Sequence, residues 1–419
     1  MIKKVYYHNF KCYQDAELTI ENVTSLIGTN SSGKTNAIEG LMVLSESVSG
    51  RDFSTILDGT KNGIGLVRGG SKGCARFGSG NFGLGCLVKY DEETDLLYEI
   101  TINVEKRVCV EKEALTEVKD NRTKQMFYTK EAPKDSGDIA VSCNNGSKGR
   151  NPDITCIRSA AVISQIATKL STETKYGRKI VEYSNCIINN LKKILFLNPE
   201  ISQMRGYSLT NDVDLKVNAS NISSVLFKLC ENPANKKVLL DIMGNLPENE
   251  ISDISFAEGP LNDVILFLNE VYGGREEKID ASRLSDGTLR CLAIVAALLN
   301  EEEGGMIAIE EVDNGIHPGR AKMLIQQISN IARKRKIDVL LTTHNAIMLN
   351  ALTKTDLYGV NVAYRDKDDG SGKIVTLVKI DDMPSLLANG KLGDVFTEGK
   401  ILEFIKKENE DEDYSWLGV

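Results

Sequence analysis

The sequence predicts an α/β fold: a short parallel sheet carrying a glycine-rich loop, with an antiparallel β subdomain and an inserted, mostly helical lobe. Three observations predict it. A glycine-rich loop over 28–35 lies between an apolar run and a helical pattern. Two short apolar runs, 306–309 and 337–342, alternate with helical stretches, as strands buried in a parallel sheet do. Between 84 and 118 come strand-like runs such as Leu97-Tyr98-Glu99-Ile100-Thr101-Ile102, which suit an antiparallel sheet.

Taken in order, residues 1–20 read as strand, turn and strand, on Lys4-Val5-Tyr6-Tyr7 and Ala16-Glu17-Leu18-Thr19-Ile20. Val23 to Ile27 is a short, largely apolar strand that stops before Gly28. A helix is expected over 36–48, with Ile38, Leu41, Met42 and Leu44 on its apolar side. Residues 50–88 are rich in glycine and broken by turns, and Arg107-Val108-Cys109-Val110 adds a strand-like run. The polar segment 131–153 reads as a loop. From 157 to 278 the pattern is mostly helical, with Ile180, Val181, Ile187, Ile188, Leu191, Ile194 and Leu195 at helical spacing. Further helices are expected over 288–300, 319–335 and 346–352. The chain thus divides into 1–156 (glycine-rich loop and β subdomain), 157–280 (helical lobe), 281–396 (second part of the core) and 397–419 (a helix and an acidic tail). Trp416 and Leu417 near the end read as a final packing contact, the commoner case, or as a partner-docking pair after an acidic spacer.

The 419 residues allow two or three packed lobes. No run approaches the roughly 20 apolar residues that span a bilayer. The start, Met1-Ile2-Lys3-Lys4, lacks the apolar core of a secretory signal. Nine cysteines fall without a C-x-x-C pair or zinc spacing, which suits reduced thiols. The expectation is a cytoplasmic protein with no membrane partner. A formal charge of −8 argues against a globally basic nucleic-acid coat, while leaving room for a local basic groove.

The segment Gly28-Thr29-Asn30-Ser31-Ser32-Gly33-Lys34-Thr35 fits G-x-x-x-x-G-K-[ST] at every defined position. Glycines let such a backbone curl until its N–H groups converge on phosphate oxygens. The helix that opens at Asn36 points its positive end at the same place. Lys34 can reach the β and γ phosphates of ATP, and the Thr35 hydroxyl can ligate Mg²⁺. Gly28, Asn30, Ser31, Ser32, Gly33, Lys34, Thr35 and Asn36 are therefore the expected nucleotide contacts.

The apolar run 306–309 ends in Glu310-Glu311. A carboxylate at a strand end beside such a loop can hold Mg²⁺, and the next one can polarise the attacking water. Alone, a Glu-Glu pair would read as a solvated cap on a strand. Beside a phosphate loop it reads as Glu310 for Mg²⁺ and Glu311 for catalysis.

With these residues in view, the chain resembles the ABC-type ATPases related to SMC, RecF and OLD proteins. Ile309-Glu310-Glu311-Val312-Asp313-Asn314-Gly315-Ile316-His317-Pro318 resembles their extended Walker B, and Leu284-Ser285-Asp286-Gly287-Thr288-Leu289-Arg290 their signature. Thr342-Thr343-His344-Asn345 resembles their H-loop, and Tyr7-His8-Asn9-Phe10-Lys11-Cys12-Tyr13 the start of their heads. The stretch from Leu197-Asn198-Pro199 to Asn218-Ala219-Ser220-Asn221 is similar to the lobe of stand-alone and OLD-type AAA ATPases, many from bacterial and phage conflict systems. The resemblance implies Glu311 as catalytic carboxylate, Lys34 as phosphate ligand and His344 as γ-phosphate sensor. It implies that Ser285, Asp286 and Gly287 serve a nucleotide held by a second copy, so that ATP joins two subunits head to tail. Asp286 and Thr288 depart from the glycine and glutamine of transporter subunits and favour the SMC-like branch. The family's glutamine loop is not recognisable. Arg68 lies in that region, as a nucleotide contact or a plain turn residue.

Two functions compete. One is an ATPase whose ATP-driven subunit association regulates a separate effector, a TOPRIM or other nuclease, in phage defence. OLD nucleases continue into a TOPRIM domain, whereas here a short tail follows the expected helix at 346–352. The other is a RecF-like DNA-repair ATPase that binds DNA directly. The basic run Arg333-Lys334-Arg335-Lys336 would serve that reading, but it also falls where cations offset a helix dipole. Likewise Arg205 stands between a functional surface and a structural hydrogen-bonding role, and His317 with Pro318 reads as shaping a turn.

Overall fold

The computed structural model describes residues 1–60, 65–120, 122–147, 149–244, 250–380, 383–388 and 390–411. The tail beyond 411, with Trp416 and Leu417, lies outside them.

The chain begins with β1 (Ile2–Phe10), β2 (Tyr13–Thr19), β3 (Val23–Ile27), α1 (Lys34–Ser47) and α2 (Phe53–Asp58). Strands β4 (Asn81–Lys89), β5 (Thr94–Asn103), β6 (Cys109–Lys119), β7 (Arg122–Thr129), β8 (Asp138–Cys143) and β9 (Asp153–Ile157) follow. Then come α3 (Ile163–Lys169), α4 (Lys175–Lys192), β10 (Ile194–Leu197), β11 (Ser208–Leu209), α5 (Ile222–Cys230) and α6 (Pro233–Gly244). Next are β12 (Glu250–Glu258), β13 (Asp263–Tyr272), β14 (Arg275–Asp280), α7 (Asp286–Asn300) and β15 (Met306–Ile309). The last are α8 (Pro318–Arg335), β16 (Asp338–Thr343), α9 (Ala346–Asn350), β17 (Val360–Arg365), β18 (Gly372–Thr376), α10 (Met383–Ala388), α11 (Leu392–Thr397) and α12 (Lys400–Asp411).

These elements pack as two units. The first gathers Met1–Ile20, Gly28–Ile194 and Asn361–Thr376; the second gathers Glu21–Ile27, Leu195–Val360 and Leu377–Val419.

In the first unit the strand order is β17-β18-β2-β1-β4-β5-β6-β7-β8-β9. Apart from the β18–β2 pair its ladders are antiparallel. Alternation drives it: Leu96, Tyr98, Ile100 and Ile102 of β5 are buried on one face. Helix α1 rests on β1. Gly40 makes room for the Tyr7 ring, since a Cβ there would come within 2.7 Å of Tyr7 Cε1. The Tyr7 hydroxyl then donates to Ala37 O at 3.0 Å. Helix α4 buries Ile180, Tyr183, Ile187 and Leu191, and Thr174 caps its start by accepting from Gly177 N.

The expected loop 131–153 contains a strand. Ile139, Val141 and Cys143 of β8 alternate inward, and the surrounding Gly, Asn, Ser and Lys residues masked that period.

In the second unit the order is β10-β15-β16-β3. Strands β15, β16 and β3 are parallel. Every residue of β3, β15 and β16 is buried, which is why their sequences are largely apolar and show no in-out alternation. Helix α7 is buried on nearly all sides, from Leu289 to Leu299, as a core helix should be.

A separate sheet, β11-β13-β12 with β14 also paired to β13, occupies the second half of the lobe expected to be mostly helical over 157–280. Ile251, Ile254, Val264, Leu266 and Leu268 fill its inner face. Nor does that lobe pack as one body. Residues 157–194 belong to the first unit and 195–280 to the second. No described helix is long and apolar enough to cross a membrane.

Candidate functional site

The phosphate-loop segment opens at Gly28 and ends in α1, whose N-cap is Gly33. Both glycines hold backbone that other residues resist, with φ of 157° at Gly28 and 116° at Gly33. Space forbids a side chain as well. A Cβ on Gly28 would lie 2.3 Å from Ala363 O, and one on Gly33 2.7 Å from the Tyr13 hydroxyl oxygen. Lys34 folds back over the loop, donating from Nζ to Gly28 O at 2.7 Å and Thr29 O at 2.9 Å. Ser31 adopts φ of 66°, and Arg365 Nε bonds its carbonyl at 3.1 Å. Ser32 is 1% exposed, and its Oγ has no partner among the described residues. A buried orphan hydroxyl in a curled loop ahead of a helix N-terminus fits phosphate. Thr35 and Asn36, both half-buried, complete the first turn of α1.

In the second unit, register gathers the other candidates. Ile309 pairs with Leu341, and Thr343 pairs with Ile27. The chain therefore leaves β15, β16 and β3 at one edge of the sheet. Glu310 and Glu311 follow β15, His344 follows β16, and the residue after β3 is Gly28. Threonines of β16 hold the carboxylate turn. Glu311 N donates to Thr342 Oγ1 at 2.8 Å and Val312 N to Thr342 O at 3.2 Å. Thr343 Oγ1 donates to the buried Asp313 carboxylate at 2.8 Å and accepts from Asn345 N at 3.0 Å. Glu311 itself is exposed, as is His344, and Asn314 Nδ2 reaches Glu311 Oε2 at 3.4 Å.

Ser285, Asp286 and Gly287 open α7. Ser285 Oγ caps it, accepting from Thr288 N at 3.1 Å. Close beneath runs the segment after the carboxylates: a Cβ on Gly287 would lie 3.1 Å from Gly315 O. Arg320, 4% exposed, donates to Thr288 Oγ1 at 3.1 Å. Arg290, one turn into α7, feels Glu311, Asp286 and Asp313. Burial lowers its pKa, and those three carboxylates oppose the shift.

Sequence reasoning missed Tyr13 as a support, and for Arg205 it offered a structural hydrogen-bonding role without its partners. Tyr13 donates from its hydroxyl to Gly33 O at 2.9 Å. Arg205 holds the signature segment, donating to Ser282 O at 2.7 Å, Leu284 O at 2.8 Å and Asp286 Oδ1 at 2.6 Å. Nothing local in the sequence signals these long-range pairs. Tyr7 and Tyr13 are fully buried in β1 and β2, but neither strand alternates strictly, so the sequence pattern marks neither tyrosine. Arg68 bonds Glu39 of α1 through Nε at 3.0 Å. His317 caps α8 by accepting from Gly319 N, with Pro318 as first helical residue. The basic run is engaged locally: Arg333 with Asp356 and Thr355, Arg335 with Glu301 O, Lys336 with Glu303. Among the described residues no group of three or more His, Cys, Asp or Glu is placed to hold a metal ion by itself.

Residues 1–132 match the family model described as "AAA ATPase domain", and residues 171–350 the model described as "AAA domain, putative AbiEii toxin, Type IV TA system". The chain carries an AAA-family ATPase domain. No curated protein matches this AAA-family chain by sequence. Among solved structures it is similar to an SMC head bound to the C-winged helix domain of ScpA, at 12% identity and TM-score 0.49, over 90% of this chain and 99% of that one. It is also similar to the SMC head domain from Thermotoga maritima, at 13% identity and TM-score 0.40, over 90% and 98%. A third is an Smc head with an extended coiled coil bound to the C-terminal domain of ScpA, derived from Pyrococcus furiosus, at 12% identity and TM-score 0.46, over 92% and 99%.

Proposed function

We propose that this AAA-family chain binds ATP with Mg²⁺ and hydrolyses it, with Lys34, Glu310, Glu311 and His344 serving one triphosphate. The observation that carries this reading is the register of β15, β16 and β3, which sends all three carboxyl ends to one sheet edge. Ligands of open α/β sheets bind beyond the carboxyl ends of their parallel strands. The phosphate loop continues directly from β3, so its anion-binding backbone starts at that edge.

The chemistry follows from the residues. Lys34 and the N–H groups ahead of α1 hold the β and γ phosphates. Glu311 accepts a proton from water as its oxygen bonds the γ-phosphorus. The bond from that phosphorus to the bridging oxygen breaks, and ADP leaves with the electron pair, its charge held by Lys34. His344 donates to a γ-phosphate oxygen. Thr35 and Glu310 are the residues that would hold Mg²⁺, which neutralises phosphate charge when bound.

The partner is a second copy. Ser285 and Asp286 are exposed at the N-terminus of a 15-residue helix, where N–H groups and dipole favour an anion, here the γ-phosphate of the second copy's nucleotide. ATP-driven association of two copies then regulates a separate effector, a nuclease in phage defence. The matched description naming an AbiEii toxin and a type IV toxin–antitoxin system supports a conflict-system role. The basic run gives a DNA-binding reading no help, because Arg333, Arg335 and Lys336 are engaged within their own unit.

Steady-state ATP turnover tests the assignment. Glu311→Gln should lower kcat by about 10²–10⁴ while ATP affinity stays within a few-fold. Turnover at the wild-type rate in that variant would remove Glu311 from the chemistry.

A further inference from the structure

The first unit holds a cavity of about 880 Å³ that no residue of the phosphate loop lines. Its walls come from β5, β6 and β7, the turn at 105–107, the segment 131–135 and Arg158. The volume falls within the ~300–1,000 Å³ of small-molecule sites.

Charge separates the rim of this cavity from its floor. Glu105, Lys106, Glu131 and Lys134 are exposed at the rim, where water and salt screen both signs. Two charged lining residues are buried, Glu113 at 2% exposure and Arg158 at 5%. Glu113 is engaged within the fold. It accepts from Val162 N and Ile163 N at 2.6 Å each and from the Tyr98 hydroxyl at 3.1 Å. Arg158 is engaged by neutral groups only. Its Nε donates to Val110 O at 2.9 Å, and its Nη1 to Pro133 O at 3.0 Å and Ser136 O at 3.4 Å. Among the described residues no carboxylate pairs with it, and Nη2 has no partner there. A guanidinium stays charged at any ordinary pH, and burying it without a counter-charge is unfavourable. Backbone carbonyls fix its plane and leave one edge of the fork for a planar or tetrahedral oxyanion.

We propose that this cavity binds a small molecule bearing an oxyanion, a phosphate or a carboxylate, which pairs with Arg158. The site is independent of the nucleotide reading, since its residues and those of the phosphate loop do not overlap.

Calorimetric titration of the full chain carrying Lys34→Ala, which disables the phosphate loop, tests the proposal. Inorganic pyrophosphate and citrate are the two probes, one for each source of oxyanion. The expected result is saturable binding of one probe per chain for at least one of them, weakened about tenfold or more by adding Arg158→Gln. Ala114→Trp, which fills the wall of the cavity without touching the Arg158 carbonyl bonds, should have the same effect in a protein that still melts cooperatively. If Arg158→Gln does not fold, Ala114→Trp alone decides. Absence of saturable binding by both probes, or binding that survives Ala114→Trp unchanged, overturns the site.

Discussion

Glu311 adopts φ of 48°, a left-handed conformation that costs a long side chain on the order of 1–2 kcal/mol. The surrounding bonds impose it, with Glu311 N held by Thr342 Oγ1 and Val312 N by Thr342 O. Such strain, kept by a carboxylate at a strand end, suits a group that must point beyond the sheet edge. Lys34 is the second residue on which the proposed chemistry depends. Lys34→Ala should weaken ATP binding about 100-fold or more, read by equilibrium titration, because it removes a charge-assisted contact to phosphate. Unchanged affinity would contradict the phosphate-loop assignment. A third residue bears on stability rather than chemistry. Asp338 is buried at the start of β16, its Oδ1 has no partner among the described residues, and burial pushes its pKa from 3.8 to about 7. The folded form therefore binds a proton that the unfolded chain has already released. Stability from this group is present below about pH 3.8 and is lost as pH rises through about 7. Glu113, raised to about 7 by burial, adds a second term of the same sign. Asp338→Asn should flatten the fall in denaturation midpoint between about pH 4 and about pH 7. An unaltered slope would show that Asp338 ionises no differently in the two states.

At the level of elements, Arg205 ties a loop after β10 to the start of α7. It grips the carbonyls of Ser282, just ahead of the signature, and of Leu284, its first residue, at under 3 Å, and the Asp286 carboxylate at 2.6 Å. Its role is positioning, since the groups it holds are those proposed to face the second copy. Arg205→Met should cut ATP turnover about tenfold while leaving ATP affinity of the isolated chain unchanged. Equal loss of affinity and turnover would make it merely structural. What was legible in the sequence at this scale follows the physics of burial. Strands β3, β15 and β16 are buried at every residue, carry short apolar runs and terminate in chemically distinctive residues, so both their existence and their ends were readable. Helices α7 and α8 begin within two residues of their expected starts because Ser285 and His317-Pro318 are cap chemistry. Strand β8 was hidden by polar neighbours. Strand β12 was hidden because Ile251 and Ile254 are spaced by three, a helical interval, where a register shift between Ile251 and Asp253 breaks the alternation. The Arg205 clamp was illegible for another reason: its partner Asp286 lies 81 positions away, and no local pattern encodes that.

Over the whole molecule, the chain supplies to each unit a different part of the proposed chemistry. The loop that cradles phosphate belongs to the first unit, and the carboxylates, His344 and the signature belong to the second. Motif spacing alone marked all of these residues, because each motif is continuous in sequence. The tyrosines and arginines that hold the motifs in place come from remote segments and needed the fold to be seen. The proposed self-association is testable at the same scale. Ser285→Arg, which puts bulk and charge at the exposed start of α7, should abolish an ATP-dependent dimer seen by light scattering in the Glu311→Gln chain. Dimers that persist in this double variant would exclude the signature from the interface. The position of a bound nucleotide decides the proposed site most directly. A crystal or cryo-electron microscopy structure of the Glu311→Gln chain with ATP and Mg²⁺ is predicted to show Lys34 and His344 both in contact with the γ-phosphate and the residue-311 amide facing a water beside it. A nucleotide seated on the phosphate loop with His344 and residue 311 turned toward unrelated surfaces would contradict it.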